Sequence, residues 1–371
     1  MLDKHPFFYI KYFESLENIM KRYLVFEDGT YFEGKAFGSD VETIGELVFT
    51  TGMTGYQEAI TDQSYNGQII NFCTPMIGNY GIAKKFDESP KSYIKGVLAR
   101  EICETVGNYQ SEMTIDEFLK QENIPGIYDI DTRAITLKIR KAGALKAAIV
   151  DSLNAGLIDE ISSWKLDAKQ LEKSVTPTKQ TFEGSGKHVV MLDYGYKKSI
   201  VDELQKRGLK VTVVPGNTAV ADIENLKPDG ILLSNGPGDP IDHTDILGNI
   251  VKLEKEYPVF GICMGHQLLC LANGAKTFKM KFGHRGFNHP VKDLETGKIY
   301  FTSQNHGYAV DPDSVAQTDL KITQVELNDQ TVEGVEHKKY NAFSVQFHPD
   351  AMPGPHDADF IFDKFIERLN K

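Results

Sequence analysis

No run of apolar residues in the sequence is long enough to span a bilayer as a helix, which excludes a chain threaded through a membrane in that way. Cysteine is scarce: four residues in 371, none in a CxxC pair, so neither a disulfide framework nor a cysteine zinc site is indicated. Positive charge is in deficit, with 41 Lys and Arg against 52 Asp and Glu and a net charge of -11. That balance argues against nucleic acid or an anionic membrane as the main partner. The phosphate-loop pattern GxxxxGK(S/T) is missing, and with it a nucleotide motif of the usual kind. No internal repeat or low-complexity tract occurs. The N-terminal residues MLDKHPFFYIKYFESLENIM lack a long apolar segment and a small-residue cleavage site and carry acidic groups, so they read poorly as a signal or transit peptide. A reducing cytoplasm is the compartment that fits these absences.

What is present is a chain with 41% hydrophobic and 25% charged residues, the composition of a soluble globular protein. Its length exceeds one ordinary core and predicts two domains. A strand pattern begins only at Lys21, so residues 1–19 are expected to be an N-terminal extension with little role in the fold. Residues 20–174 form the first expected domain. Asp28-Gly29 between alternating apolar runs predicts a hairpin, GELVFTTG and GQIINFCTP predict strands, and MTIDEFLKQEN predicts a helix capped by Thr114. TRAITLKIRKAG predicts an amphipathic helix closed by Gly143. This half has no regular βα alternation and reads as a smaller mixed β/α domain. The polar, aperiodic stretch at 175–187 reads as a linker. From 188 to 371 the pattern changes to repeated βα units, which predict an α/β fold: a doubly wound, mostly parallel sheet with helices on both faces. Reactive groups in such sheets gather at the carboxyl ends of the strands.

The most telling segment is PVFGICMGHQ. A buried strand ends at Cys263, and an amphipathic helix starts immediately after it. Gly261 and Gly265 bracket the cysteine as in a nucleophile elbow, where an attacking atom sits on a strained turn that leaves no room for neighbouring Cβ atoms. The helix N-terminus favours the thiolate. Cys73, Cys103 and Cys270 have no such brackets and read as small buried hydrophobes. A thiol nucleophile needs a base, and His266, His284, His289, His306 and His348 are the candidates. His266 follows on the helix, away from where the elbow aims the sulfur. His348 ends the apolar run AFSVQFHPD, where Pro349 stops the strand and Asp350 lies two residues on, in reach of the imidazole. Considered by itself, His348 is equally well an ordinary strand-end histidine. SNGPGDP is either a plain turn or an oxyanion loop in which Gly236 and Gly238 free backbone N–H groups.

Together GICMGHQ, SNGPGDP, TSQNHGYAV and FHPDAMPGPHD resemble the class I, triad-type glutamine amidotransferases, whose catalytic domain is flavodoxin-like. More narrowly, FEDGT, GYQEAITDQSY, IGNYG and GIYDIDTRAIT in the first half resemble the small, glutamine-hydrolysing subunit of carbamoyl phosphate synthetase. The resemblance runs from Met20 to Lys371. It implies that Cys263 attacks the side-chain amide of glutamine, that His348 protonates the departing ammonia, and that Asp350 orients His348. It implies a γ-glutamyl thioester hydrolysed by water, with backbone amides of Gly238 and Met264 holding the oxyanion. Carried over position by position, glutamine recognition falls to Ser64, Gly236, Gly238, Met264, Gln267, Asn305, Gly307 and Tyr308. Because Ser64 belongs to the first domain, the pocket is expected where the two halves meet. No cofactor and no metal are expected in this chain. ATP, Mg and bicarbonate are expected on a separate large ATP-grasp subunit, which receives ammonia through a tunnel and contacts much of the first domain. Several positions depart from the family pattern. Asp350 stands where glutamate is usual and is one methylene shorter, Gln63 replaces a proline, Ser199 an asparagine, and Tyr308 a frequent phenylalanine. An active glutaminase is still expected, with reduced turnover as the cost of the missing methylene. Two other readings stay open, an amidotransferase of another pathway and a catalytically dead subunit, as does the choice between arginine and pyrimidine synthesis.

Overall fold

A computed structural model describes residues 20–371 of the chain; the expected extension, residues 1–19, lies outside the described residues. The first half is built around seven strands: β1 (Lys21–Phe26), β2 (Tyr31–Gly38), β3 (Thr43–Thr50), β4 (Gln68–Phe72), β5 (Gly96–Leu98), β6 (Pro125–Tyr128) and β7 (Leu145–Val150). They close into a barrel in the order β1–β2–β6–β5–β4–β3–β7. The Asp28-Gly29 hairpin is there, with Leu24 opposite Phe32 and Gly29 at φ 79°. Period-two alternation separates two cores. Leu47, Ile69, Leu98 and Ile149 pack with Ile135 and Ile139 of the helix Thr132–Ala142. Their neighbours Val48, Ile70 and Val97 pack with Ile115 and Leu119 of the helix Ile115–Gln121. That helix starts on a capping box between Thr114 and Glu117. Closure into a barrel is invisible in the sequence, because it depends on β1 pairing with β7 across more than a hundred residues.

The second half forms a ten-stranded sheet. Its strands are β8 (Gln180–Phe182), β9 (His188–Asp193), β10 (Lys210–Pro215), β11 (Gly230–Leu233), β12 (Val259–Ile262), β13 (Thr277–Asp293), β14 (Ile299–Val310), β15 (Leu320–Glu326), β16 (Val332–His337) and β17 (Ala342–Val345). The order is β8–β10–β9–β11–β12–β17–β16–β15–β13–β14. Strands β10, β9, β11, β12 and β17 pair in parallel. Both faces of this central part are covered. Val189 and Met191 pack with Ile200 and Leu204 of the helix Lys198–Lys206 and with Phe362 and Phe365 of Phe360–Leu369. Val190 and Leu192 pack with Ile250 and Leu253 of Leu247–Glu256 and with Leu268 of Met264–Ala272.

Two expectations need correction. The sheet is not mostly parallel: β8, β13, β14, β15 and β16 all pair antiparallel. No helix of crossover length separates β13 from β14 or β15 from β16, so these neighbours fold back as hairpins instead of parallel units. Nor is 175–187 only a linker: Gln180–Phe182 pairs with Val211–Val213 as an edge strand too short to show periodicity.

The halves are joined through β13. Thr51 N donates to Arg285 O at 3.3 Å, Ala144 N donates to Lys281 O at 2.9 Å, and Lys279 pairs with Glu46 at 2.7 Å. Phe260, fully buried, stacks on Phe343 with ring centroids 4.7 Å apart and also meets Phe362 and Phe365. Phe260→Ala should therefore cost about 3–5 kcal/mol, read as a lowered urea midpoint of the transition that carries the sheet.

Candidate active site

Cys263 sits at the carboxyl end of β12, at φ 53° and ψ -102°, as the N-cap of Met264–Ala272. A non-glycine residue in that region is strained, and close packing holds it there. A Cβ on Gly265 would lie 2.1 Å from Leu233 O, and one on Gly261 would lie 2.6 Å from Gly265 O. Main-chain bonds fix the turn from both neighbouring strands, Cys263 N to Val345 O at 2.9 Å and Gly265 N to Ser234 O at 2.9 Å. The sulfur is buried, 3.7 Å from Asn305 O.

His348 follows β17 and is tied to β14 by its N–H bond to Ser303 O at 2.9 Å. Burial pulls the imidazole toward neutrality, but the Cys263 sulfur and the Asp350 carboxylate outweigh it and push the pKa up to about 10. The ring therefore holds a proton at neutral pH. Asp350 Oδ1 lies 3.6 Å from His348 Nδ1, too far for a hydrogen bond.

The other carboxylate oxygen is firmly held. Asp350 Oδ2 accepts from Lys197 Nζ at 2.5 Å and lies 2.8 Å from Ser199 Oγ. Burial would raise the Asp350 pKa, but the Lys197 ammonium more than offsets it and keeps the carboxyl ionised far below its usual range. Ser199 Oγ is also 2.6 Å from Glu88 Oε2. A hydroxyl has one proton and cannot serve two carboxylates. Burial pushes the Glu88 carboxyl up to about 7 against the pull of Lys197, and in its protonated form Glu88 can supply the second bond. Glu88 comes from the barrel half, so the group behind His348 is shared between domains. Sequence reasoning missed Lys197 and Glu88. Their signal lies only in tertiary contact, although the two departures at Ser199 and Asp350 turn out to touch each other.

A cavity of about 350 Å³ opens over the sulfur. Ser64, Gly236, Gly238, Cys263, Met264 and Gln267 line it, and so do Asn305, Gly307 and Tyr308. Every residue singled out for glutamine recognition thus borders one space, and Ser64, Leu145 and Trp164 bring the first half to its wall. His348 and Asp350 lie behind the sulfur, outside this lining. Among the described residues the backbone N–H groups of Gly238 and Met264 have no protein acceptor. Gln267 spends its amide protons on Tyr308 O at 2.8 Å and Gln346 Oε1 at 3.0 Å, so it can offer a ligand only its Oε1. Asn305 donates to Asp62 Oδ2 at 2.9 Å, and Asn235 donates to Ser64 Oγ at 3.0 Å. Arg285, buried and lining the cavity, is a further cation that no motif flagged.

The other histidines and cysteines are placed elsewhere. His266 lies within 2.8 Å of Ser344 Oγ, and burial drops its pKa to about 3, so it stays neutral. Burial pushes the Cys270 thiol far up, and it is inert packing. His284, His289 and His306 form a separate cluster.

Two family models match the chain: the "Carbamoyl-phosphate synthase small chain, CPSase domain" over residues 24–149 and "Glutamine amidotransferase class-I" over residues 190–368. The chain is 56% identical to the carbamoyl phosphate synthase pyrimidine-specific small chain of Lactiplantibacillus plantarum, over 94% of this chain and 96% of that one. It is 54% identical to the carbamoyl phosphate synthase small chain of Streptococcus mutans, over 94% and 97%. The corresponding chain of Listeria monocytogenes is 53% identical, again over 94% and 97%. Among the described residues no helix is long and apolar enough to cross a membrane.

Iodoacetamide at neutral pH should alkylate Cys263 and leave Cys270 untouched, as mapped by peptide mass spectrometry. His348→Ala removes the facing imidazolium and should slow that alkylation about tenfold or more.

Proposed function

The chain belongs to the carbamoyl-phosphate synthase small-chain family, and from that premise we propose that Cys263, His348 and Asp350 hydrolyse L-glutamine and deliver ammonia to a large synthetase subunit. It is a glutamine-hydrolysing carbamoyl-phosphate synthase subunit with a class I amidotransferase domain. One observation carries the assignment of residues: a single cavity at the domain junction is bordered by Cys263 and by every position matched to glutamine recognition.

In the proposed reaction the Cys263 thiolate, paired with protonated His348, adds to the glutamine side-chain carbonyl. The oxyanion meets the free N–H groups of Gly238 and Met264, donors of a kind typically worth roughly 10²–10³ in rate. His348 passes its proton to the amide nitrogen, the C–N bond breaks, and ammonia leaves a γ-glutamyl thioester. Water then attacks the thioester and gives a proton to His348; the adduct collapses, expelling the Cys263 thiolate beside the reprotonated ring, and glutamate departs as its acid proton passes to solvent. Asp350 steadies the imidazolium through Oδ1 while Lys197 and Ser199 anchor Oδ2. The 3.6 Å gap to His348 closes when substrate binds, since catalytic hydrogen bonds of free enzymes often tighten only with substrate.

The residues of this chain supply no nucleotide site in this scheme. ATP, Mg and bicarbonate act on the large partner, which turns the channelled ammonia into carbamoyl phosphate. Pyrimidine synthesis is the destination we favour, on the strength of the name of the Lactiplantibacillus relative. The reading as an amidotransferase of another pathway loses ground to the match over residues 24–149.

Coexpressed with its large subunit, the wild type should make carbamoyl phosphate from glutamine. Cys263→Ser and His348→Asn should abolish that route and leave the ammonia-dependent one intact; loss of both routes, or of neither, would reject the assignment. Lys197→Met should lower kcat/KM for glutamine about 10²-fold. The depressed pKa of Asp350 rises when its counter-charge goes, so the acid limb of the glutaminase pH profile should move to higher pH.

A further inference from the structure

We propose that His284, His306 and Glu333 form a divalent-metal site of the zinc class, built from none of the residues assigned to the Cys263 reaction, although His306 also borders the cavity. The three residues come from β13, β14 and β16, strands that β15 and the turn at Asn328–Gln330 bring together. His284 Nδ1 lies 3.7 Å and His306 Nε2 lies 3.8 Å from Glu333 Oε1. All three ligand atoms lie within 4.8 Å of one another, and all three residues are buried. The edge of a tetrahedron about a zinc ion with bonds of about 2.0–2.1 Å is about 3.4 Å, so modest inward movement of the rings completes the geometry.

Hydrogen bonds decide which atoms face the centre. His306 Nδ1 lies 2.7 Å from Tyr308 O, and a carbonyl can only accept, so Nδ1 carries the proton and Nε2 presents a bare lone pair. His284 Nε2 lies 2.8 Å from Asp329 Oδ2, and a carboxylate can only accept, so Nε2 keeps its proton and Nδ1 faces the centre. Glu333 Oε2 accepts from Gln304 Nε2 at 2.7 Å, leaving Oε1. Those three inward atoms, His284 Nδ1, His306 Nε2 and Glu333 Oε1, have no hydrogen-bond partner. Buried polar atoms without partners are costly, and at 3.7 Å a proton on His284 Nδ1 is too far from Glu333 Oε1 to bridge the two in a hydrogen bond. A cation at the centre resolves this. The outward partners, a carboxylate, a backbone carbonyl and an amide, are those that orient metal ligands in general. Two imidazoles and one carboxylate suit zinc and leave one tetrahedral position for water. Absence of paired cysteines in the sequence does not bear on such a site, since its ligands come from separate strands.

Bound there, the ion would clamp β13, β14 and β16 directly behind Asn305, Gly307 and Tyr308, which border the cavity. The test uses the full-length, untagged chain. After incubation with zinc chloride and dialysis, mass spectrometry for metals should find about one zinc per chain, and zinc should raise the wild-type Tm by several degrees. Replacing zinc with cobalt(II) should produce the visible absorption of a four-coordinate site. Glu333→Gln and, separately, His284→Gln should lose the metal, the Tm response and the cobalt bands, with circular dichroism checking that each variant is folded. A wild type that retains no stoichiometric zinc and shows no Tm response would overturn the proposal, leaving His284 as a protonated ring paired with Asp329 and Glu333. Equal retention by folded variants would overturn it too.

Discussion

The buried pair between Lys197 and Asp350 is the interaction on which the rest of the site depends. Neither side chain reaches solvent to any useful extent, and their charged atoms are 2.5 Å apart. Taking two such ions out of water is tolerated only when each satisfies the other, and removing one partner of a buried pair typically costs about 3–5 kcal/mol. The loop after β9 and the loop after β17 are therefore locked together at the carboxyl edge of the sheet. Asp350 can present its second oxygen to His348 only because the first is already taken. The same lysine continues the network outward. Its backbone N–H donates to Asn235 Oδ1 at 3.1 Å, and Asn235 reaches Ser64 of the barrel half. One run of contacts joins the carboxylate beside His348 to the wall of the cavity.

Strain and packing complete the arrangement. Cys263 is held in a backbone region that side-chain-bearing residues rarely adopt, because two glycines allow β11 and the following helix to approach within van der Waals contact. The barrel contributes in a different way. It places Ser64 against the cavity and Glu88 against Ser199, so neither half has the complete site alone.

The departures from the family pattern also acquire a physical meaning. A carboxylate shortened by one methylene leaves a gap toward His348, while its far oxygen lies within hydrogen-bonding reach of Ser199. The two positions are far apart in sequence and touch only in the folded chain, so each departure has to be read in the context of the other.

Local grammar was legible in the sequence because short-range sterics impose it. The Asp28-Gly29 hairpin, the Thr114 cap, the Gly143 stop and the glycine-bracketed elbow at Cys263 are each set within a few residues. What the chain alone could not disclose was every feature made by contact between distant segments: closure of the barrel, the antiparallel half of the sheet, the edge strand at Gln180–Phe182, and the placing of Lys197, Glu88 and the histidine cluster. Residue types fix what a side chain can do, but burial, counter-charge and the few tenths of an ångström that separate a hydrogen bond from a near miss arise only when remote strands pack.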